Sequence, residues 1–264
     1  MRRLGPLLTT VLLVWTAPTA GQSTLATQLA DLTALSAKMG AAETRVRVDA
    51  LHRVWTIAMS SPDSEVKLKA LGLLQDPVGS SSDHIRMPAV YAIAEIAGSS
   101  DDVQIKIRAL RALAEPLRAG QVPIRDVAIE AVNAITRSAS HPDVAMAAVQ
   151  MLGEPLRSGN NGVRIPAINA LILAVQGKQS DQACGAALEL LQAPLNSSAM
   201  IGGLEVRMMA LRAVERIGLE STEVGTKAKA MGMLQLYAGK DGWEPEARRR
   251  AQEGAAAVQN SIKR

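Results

Sequence analysis

The sequence predicts an all-α protein, a right-handed α-solenoid of about six antiparallel helix pairs, on three observations. First, an apolar-Arg-x-x-Ala-apolar phrase recurs every 39 residues, as Val46 to Leu51, Ile85 to Val90, Ile124 to Ile129 and Val163 to Ile168, and again 43 residues later as Val206 to Leu211. Second, Asp76-Pro77-Val78, Glu115-Pro116-Leu117, Glu154-Pro155-Leu156 and Ala193-Pro194-Leu195 keep the same step of 39. Two landmarks in one register define an array of stacked units. Third, apolar residues follow helical spacing throughout, and period-two alternation goes no further than Val103 to Ile107.

Composition agrees with a packed array. The 264 residues are 48% apolar and 20% charged, which gives enough apolar surface for a core and too much for a disordered chain. There is no Phe, with three Trp and two Tyr, so the core is aliphatic and a base-stacking groove is excluded. Cys184 is the only cysteine, so no intramolecular disulfide can form and the stack must hold by packing.

Residues 1–21 have the form of an export signal peptide: Arg2 and Arg3, the apolar run Leu7 to Trp15, then small residues from Thr16 to Gly21. Cleavage is expected after Ala20 or after Gly21. Leu4 to Ala17 spans 14 residues, short of the about 20 a membrane-spanning helix needs. The mature chain, residues 22–264, is therefore expected in the periplasm or outside the cell, with no membrane span. Without Arg2 and Arg3 it carries 27 basic and 25 acidic residues, a near-neutral balance with no basic clustering suited to nucleic acid. The one basic run, Arg248-Arg249-Arg250, is expected to be a solvated face of the last helix.

Along the chain, Leu25, Leu29, Leu32 and Leu35 form the first helical stripe, stopped by Gly40. Thr44 to Met59 is the first Arg-bearing helix. Ser61-Pro62-Asp63 then opens the next helix, with Ser as the expected cap, Pro in the first turn and an acid at the positive end of the dipole. Comparable punctuation returns at Ser100, Ser140, Ser180 and Ser221. The segments Val66 to Gln75, Val103 to Ala114, Val144 to Gly153 and Ala183 to Gln192 are expected to close on the recurring Pro. That leaves loops of about eight to twelve residues rich in Gly, Ser and Asn. Val224 to Tyr237 and Glu244 to Lys263 supply the last pair. The pairs fall at about 23–59, 64–98, 101–138, 142–177, 181–219 and 222–262.

Leu71 to Pro77, reading Leu-Gly-Leu-Leu-Gln-Asp-Pro and followed by the Arg-bearing phrase, resembles the HEAT repeat. The resemblance covers the chain from about residue 23 onward. It implies stacked helix pairs whose second helices line the concave side. The chain departs from the HEAT pattern in its long loops and in lacking a regular Asp just before the Arg.

With the first apolar residue of the phrase as position 0, rotation by 100° per residue centres the buried positions 0, 4, 7, 8 and 11 near 40°. Position 1 holds Arg47, Arg86, Arg125, Arg164 and Arg207, on the flank. An Arg in a first helical turn opposes the dipole at a cost of about 0.3–1 kcal/mol, so five recurrences imply partners. The expected role is structural, bridging repeats to carboxylates or carbonyls in short turns such as Asp63, Asp102, Asp143, Asp181 and Glu223. The outer face is expected at positions 2, 6, 9 and 13. Position 6 reads His52, Tyr91, Glu130, Asn169 and Arg212; position 9 includes Trp55, Asn133 and Glu215. Side chains that vary from repeat to repeat on a shared face suit a surface that reads an irregular partner, so these eight are the candidate partner-binding residues.

No catalytic, cofactor-binding or metal-ligating set emerges. His52, His84 and His141 lie in different repeats, a lone Cys cannot form a thiolate cluster, and Gly202-Gly203 opens no phosphate loop. The expected function is an exported protein–protein interaction scaffold, not an enzyme, with no cofactor and with an unidentified protein or peptide as partner. The alternative, carried only by the resemblance, is an enzyme or enzyme accessory of the HEAT-like lyase type. No sequence signal bears on oligomeric state.

Overall fold

The computed structural model describes residues 24–177, 180–196 and 203–263, and among them every regular element is an α-helix. The signal peptide expected at residues 1–21 and most of the loop from Asn196 to Gly203 lie outside the described residues. The first pair is α1 (Leu25–Met39) and α2 (Thr44–Ser60). In the next four pairs the first helix comes in two pieces. Helices α3 (Ser64–Leu73) and α4 (Gln75–Val78) lead to α5 (Asp83–Gly98), and α6 (Val103–Ala112) and α7 (Ala114–Arg118) to α8 (Val122–Arg137). Helices α9 (Pro142–Met151) and α10 (Gly153–Arg157) lead to α11 (Asn161–Val175), and α12 (Asp181–Leu190) and α13 (Gln192–Leu195) to α14 (Gly203–Glu220). The last pair is α15 (Val224–Ala238) and α16 (Pro245–Ile262).

The second helices α2, α5, α8, α11, α14 and α16 pack each on the next and form one layer; α1, α3, α6, α9, α12 and α15 form the other. This is a solenoid of helix pairs. The alanine of the recurring phrase explains the close stacking: Ala50, Ala89, Ala128, Ala167 and Ala210 are all fully buried, and a methyl side chain lets neighbouring helices approach. Between the layers runs one continuous aliphatic core. At the first repeat Val46 and Ile57 are only half-buried, because α2 has a second-layer neighbour on one side only.

The recurring Pro does not end a helix, as expected, but starts one. Pro77, Pro116, Pro155 and Pro194 each stand third in α4, α7, α10 and α13. A first-turn residue has no intrahelical acceptor for its N–H, so Pro loses no bond there. Its ring would strike the carbonyl four residues back, and those residues, Leu73, Ala112, Met151 and Leu190, are the last of the preceding helices. The chain therefore kinks at a buried leucine, Leu74, Leu113, Leu152 or Leu191, and carries on. The loops that follow are short in consequence, residues 79–82, 119–121 and 158–160, not eight to twelve residues long.

Helix starts also differ in detail from the expectation. Asp63 and Asp102 are the caps of α3 and α6, accepting from the Glu65 and Gln104 amides at 2.8 Å. Ser61 and Ser100 instead accept from the Asp63 and Asp102 amides at 3.2 Å. Among the described residues no helix is long and apolar enough to cross a membrane.

Candidate functional site

Antiparallel pairing gives the stack two edges. One gathers the starts of the second-layer helices and the loops inside each pair; the other gathers first-helix starts and second-helix ends. A 16-residue helix separates them by about 24 Å. The arginine row lies on the first edge and the aspartates expected to partner it lie on the second. That pairing is therefore corrected.

The arginines bind the loops of their own edge. Arg47 Nε donates to the Met39 carbonyl at 3.1 Å and Arg86 Nε to the Ser80 carbonyl at 2.6 Å. Arg86 Nη1 also reaches the Gln121 side chain of the next repeat at 3.2 Å, and Arg125 Nη1 reaches Ser158 Oγ at 3.2 Å. Partial burial lowers the Arg164 pKa below the ordinary guanidinium value. Arg207 is the most enclosed and donates to Glu244. The basic run near the C-terminus hides a further copy: Ala247-Arg248-Arg249-Arg250-Ala251 repeats the phrase 41 residues after Val206, with Ala247 and Ala251 fully buried. Only Arg249 of the three is exposed, so the run is not a solvated face.

The opposite edge carries a second row that the sequence reading missed. Lys67 Nζ donates to Ser99 O and Oγ at 2.9 and 3.1 Å, Lys106 Nζ to Ser138 O and Oγ at 2.7 and 2.8 Å, and Lys227 Nζ to Ser261 O at 3.3 Å. Each ties a first helix to the end of its second helix. At the same register Gln28 accepts from Ser61 Oγ at 2.9 Å. The aspartates here bond hydroxyls of neighbouring repeats: Asp102 accepts from Ser64, and Asp181 from Ser221 and Thr222. In both, hydroxyl donors are the first cause holding the carboxyl below the usual range.

On the outward side of the second layer, His52, Tyr91, Glu130, Asn169 and Arg212 at position 6 are all exposed. Position 9 is more enclosed: Trp55, Asn133, Ile172 and Glu215 are half-buried and Ala94 is buried. Position 2 is half-buried in all five repeats. Packing between successive second-layer helices covers those flanks, so the open stripe is positions 6, 10 and 13 and not 2, 6, 9 and 13. Position 10 brings in Glu95 and Arg216, both exposed, which the same helical wheel could have supplied.

Two clefts interrupt this stripe. One, of about 380 Å³, is lined by Leu51, His52, Trp55, Pro88, Tyr91, Ala92 and Glu95, between α2 and α5. His52 and Trp55 sit with ring centroids 5.2 Å apart. The other, of about 420 Å³, is lined by Ile172, Arg212, Glu215, Arg216, Leu219 and Arg250, between α11, α14 and α16. Three polar atoms on this side are buried without a hydrogen-bond partner among the described residues: the donor Trp55 Nε1 and the acceptors Asp126 Oδ1 and Asn133 Oδ1. Among the described residues no three His, Cys, Asp or Glu side chains gather as metal ligands. Burial, with the charges of Asp181 and Glu220, raises the Cys184 thiol to a pKa of about 11, which suppresses the thiolate a nucleophile needs.

No protein-family model and no curated protein sequence matches the chain. Solved structures do match in shape. A designed armadillo repeat protein in complex with the peptide (KR)4 is similar at a TM-score of 0.51 and 21% identity, over 88% of this chain and 99% of that one. An archaeal HEAT-like repeats protein from Thermococcus onnurineus NA1 is similar at a TM-score of 0.51 and 12% identity, over 89% of this chain and 94% of that one. An engineered protein is similar at a TM-score of 0.52 and 19% identity, over 88% and 97%. The chain has a HEAT/armadillo-like repeat fold.

Proposed function

We propose that this chain is an exported, non-enzymatic scaffold that binds an extended segment of a protein or peptide along the outward face of its second-layer helices. The residues are those expected from sequence, His52, Trp55, Tyr91, Glu130, Asn133, Asn169, Arg212 and Glu215, joined by Glu95 and Arg216. One observation carries the reading: His52, Tyr91, Glu130, Asn169 and Arg212 are exposed at one position of five successive second-layer helices while their chemistry changes from repeat to repeat, and two clefts open on the same stripe. The designed armadillo neighbour, which holds the peptide (KR)4, supports such use of the fold. Export rests on the form of residues 1–21 alone.

Capture of a partner from the extracellular or periplasmic fraction tests the reading. Charge reversal of Glu130→Arg together with Arg212→Glu is expected to abolish capture while helicity and melting temperature stay unchanged. Capture that survives the double variant rejects this face.

A further inference from the structure

At positions 6 and 10 the exposed charges are Glu95 and Glu130 on α5 and α8 and Arg212 and Arg216 on α14, while exposed Arg137 on α8 and Glu253 on α16 carry the opposite sign to the acids and the arginines beside them. At the α2–α5 cleft, Glu95 is exposed and makes no ion pair with the described residues, and it is the sole carboxylate of the lining. The rest of that lining is apolar or aromatic apart from His52, and includes the Trp55 and Tyr91 rings. On α8 the acid continues with exposed Glu130 and half-buried Asp126. Asn169 on α11 is neutral. At the α11–α14–α16 cleft three arginines meet one carboxylate, Glu215, which is already bonded to Arg250. Arg212 makes no hydrogen bond or ion pair with the described residues, and Arg216 is engaged only through Nε, with Glu220 at 3.0 Å. Two guanidinium forks therefore face outward beside the apolar Leu219 and Ile172.

We propose that the bound segment is charge-polarised: a Lys or Arg side chain enters the α2–α5 cleft and a carboxylate enters the α11–α14–α16 cleft, in one continuous extended stretch. The proposal rests on the peptide-binding reading and specifies its ligand. A long cationic side chain lays its methylenes on Leu51, Pro88 and Ala92 while its charge meets the Trp55 and Tyr91 rings and Glu95. A carboxylate takes paired N–H donors from Arg212 and Arg216. From α5 to α14 there are three interhelical steps of about 8–10 Å each. An extended chain advances roughly 3.3 Å per residue. The two charges thus stand about seven to nine residues apart. Nucleic acid does not fit, because the exposed Glu95 and Glu130 repel phosphate.

The test is selection from a random 16-residue peptide library against the full chain and its Glu95→Lys and Arg212→Glu variants, each checked for native helicity and melting temperature. Wild-type protein is expected to enrich peptides with Lys or Arg about seven to nine residues from Asp or Glu. Glu95→Lys loses only the cation preference and Arg212→Glu only the acid preference. A synthetic wild-type binder loses at least tenfold affinity for each variant. Should Arg212→Glu fail to fold, Arg212→Gln serves, with the same loss of acid preference expected. Enriched peptides that lack the charge pair, or that ignore both variants, overturn the polarity and leave the peptide-binding reading standing. Failure to enrich any peptide sinks that reading, and the polarity with it. A dimer in sedimentation that Arg212→Glu dissociates assigns the face to a second copy of the chain and overturns the proposal.

Discussion

Arg207 Nη1 donates to both carboxylate oxygens of Glu244, at 3.0 and 2.7 Å, while its guanidinium carbon lies 5.3 Å from the Trp243 ring centroid. Trp243 stacks in turn on Tyr237 at 4.6 Å, and Lys240 Nζ sits over both rings. The cluster closes the last repeat onto the one before it. It stands where earlier repeats use single hydrogen bonds from Arg86 and Arg125.

Arg207→Ala leaves a carboxylate facing an aromatic ring without its counter-charge. The expected loss is about 2–4 kcal/mol. Arg207→Lys keeps the charge but not the planar stack, so an intermediate loss is expected. Chemical denaturation followed through Trp fluorescence checks both. An Arg207→Ala variant as stable as the parent rejects the clamp.

Lys106 is 2% exposed, and its Nζ binds both oxygens of Ser138. Lys106→Met fills the same volume but strands those acceptors, so a loss of about 1–3 kcal/mol is expected in urea denaturation. The fourth repeat has Ala145 at the lysine position and Gly177 at the serine position, 39 residues beyond Lys106 and Ser138. The lysine and the serine hydroxyl are both missing there. Ala145 is 1% exposed, so Ala145→Lys alone is expected to destabilise by overpacking.

The arginine row was legible because its phrase contains fixed apolar neighbours that lock the register. The lysine row was written at the same step of 39, at Gln28, Lys67, Lys106, Ala145 and Cys184. It went unread because the residue type changes while the position does not. The arginines' partners were misassigned for a geometric reason: sequence proximity to Asp63 or Asp102 hides the full helix length between the two edges. Position 6 could be read from rotation alone. Position 9 could not, because its cover comes from the next helix of the layer and not from its own. The sixth arginine, Arg248, was hidden by Arg249 and Arg250, which made a repeat landmark resemble a basic run.

Gly218 tests the packing of the last two repeats. A Cβ there would lie 2.8 Å from Ala230 Cβ and 3.0 Å from Val258 Cγ2, whereas at Gly98 nothing stands within 4 Å. Gly218→Ala is expected to cost about 1–3 kcal/mol through overpacking. Gly98→Ala is expected to be neutral or stabilising by up to about 1 kcal/mol. Thermal unfolding of the two variants side by side separates a steric role from simple helix propensity.

Cys184 is 3% exposed, and burial raises its thiol pKa to about 11. At pH 8 the native protein is expected to resist maleimide or aromatic disulfide reagents, with full labelling only in denaturant. Rapid stoichiometric labelling of the folded chain at pH 8 contradicts the buried placement.

Asp181 links repeat five to repeat six through the Ser221 and Thr222 hydroxyls and the Thr222 and Glu223 amides. Those donors, Ser221 foremost, hold its carboxyl below the ordinary aspartate value of 3.8 against an opposing effect of burial. Folding thus favours the ionised form, and the unfolded chain binds the proton more readily. The stabilisation is complete above the unfolded value and drains away as pH falls through 3.8 towards the folded one. Asp181→Asn is expected to lose about 1–2 kcal/mol at pH 7. The gap between wild type and variant is expected to narrow as pH falls below about 4, because the unfolded wild-type chain then takes up a proton that the folded carboxyl still resists. Melting temperatures of both proteins from pH 7 to pH 3 measure that gap, and a gap that stays constant would mean that the carboxylate charge contributes nothing at this seam.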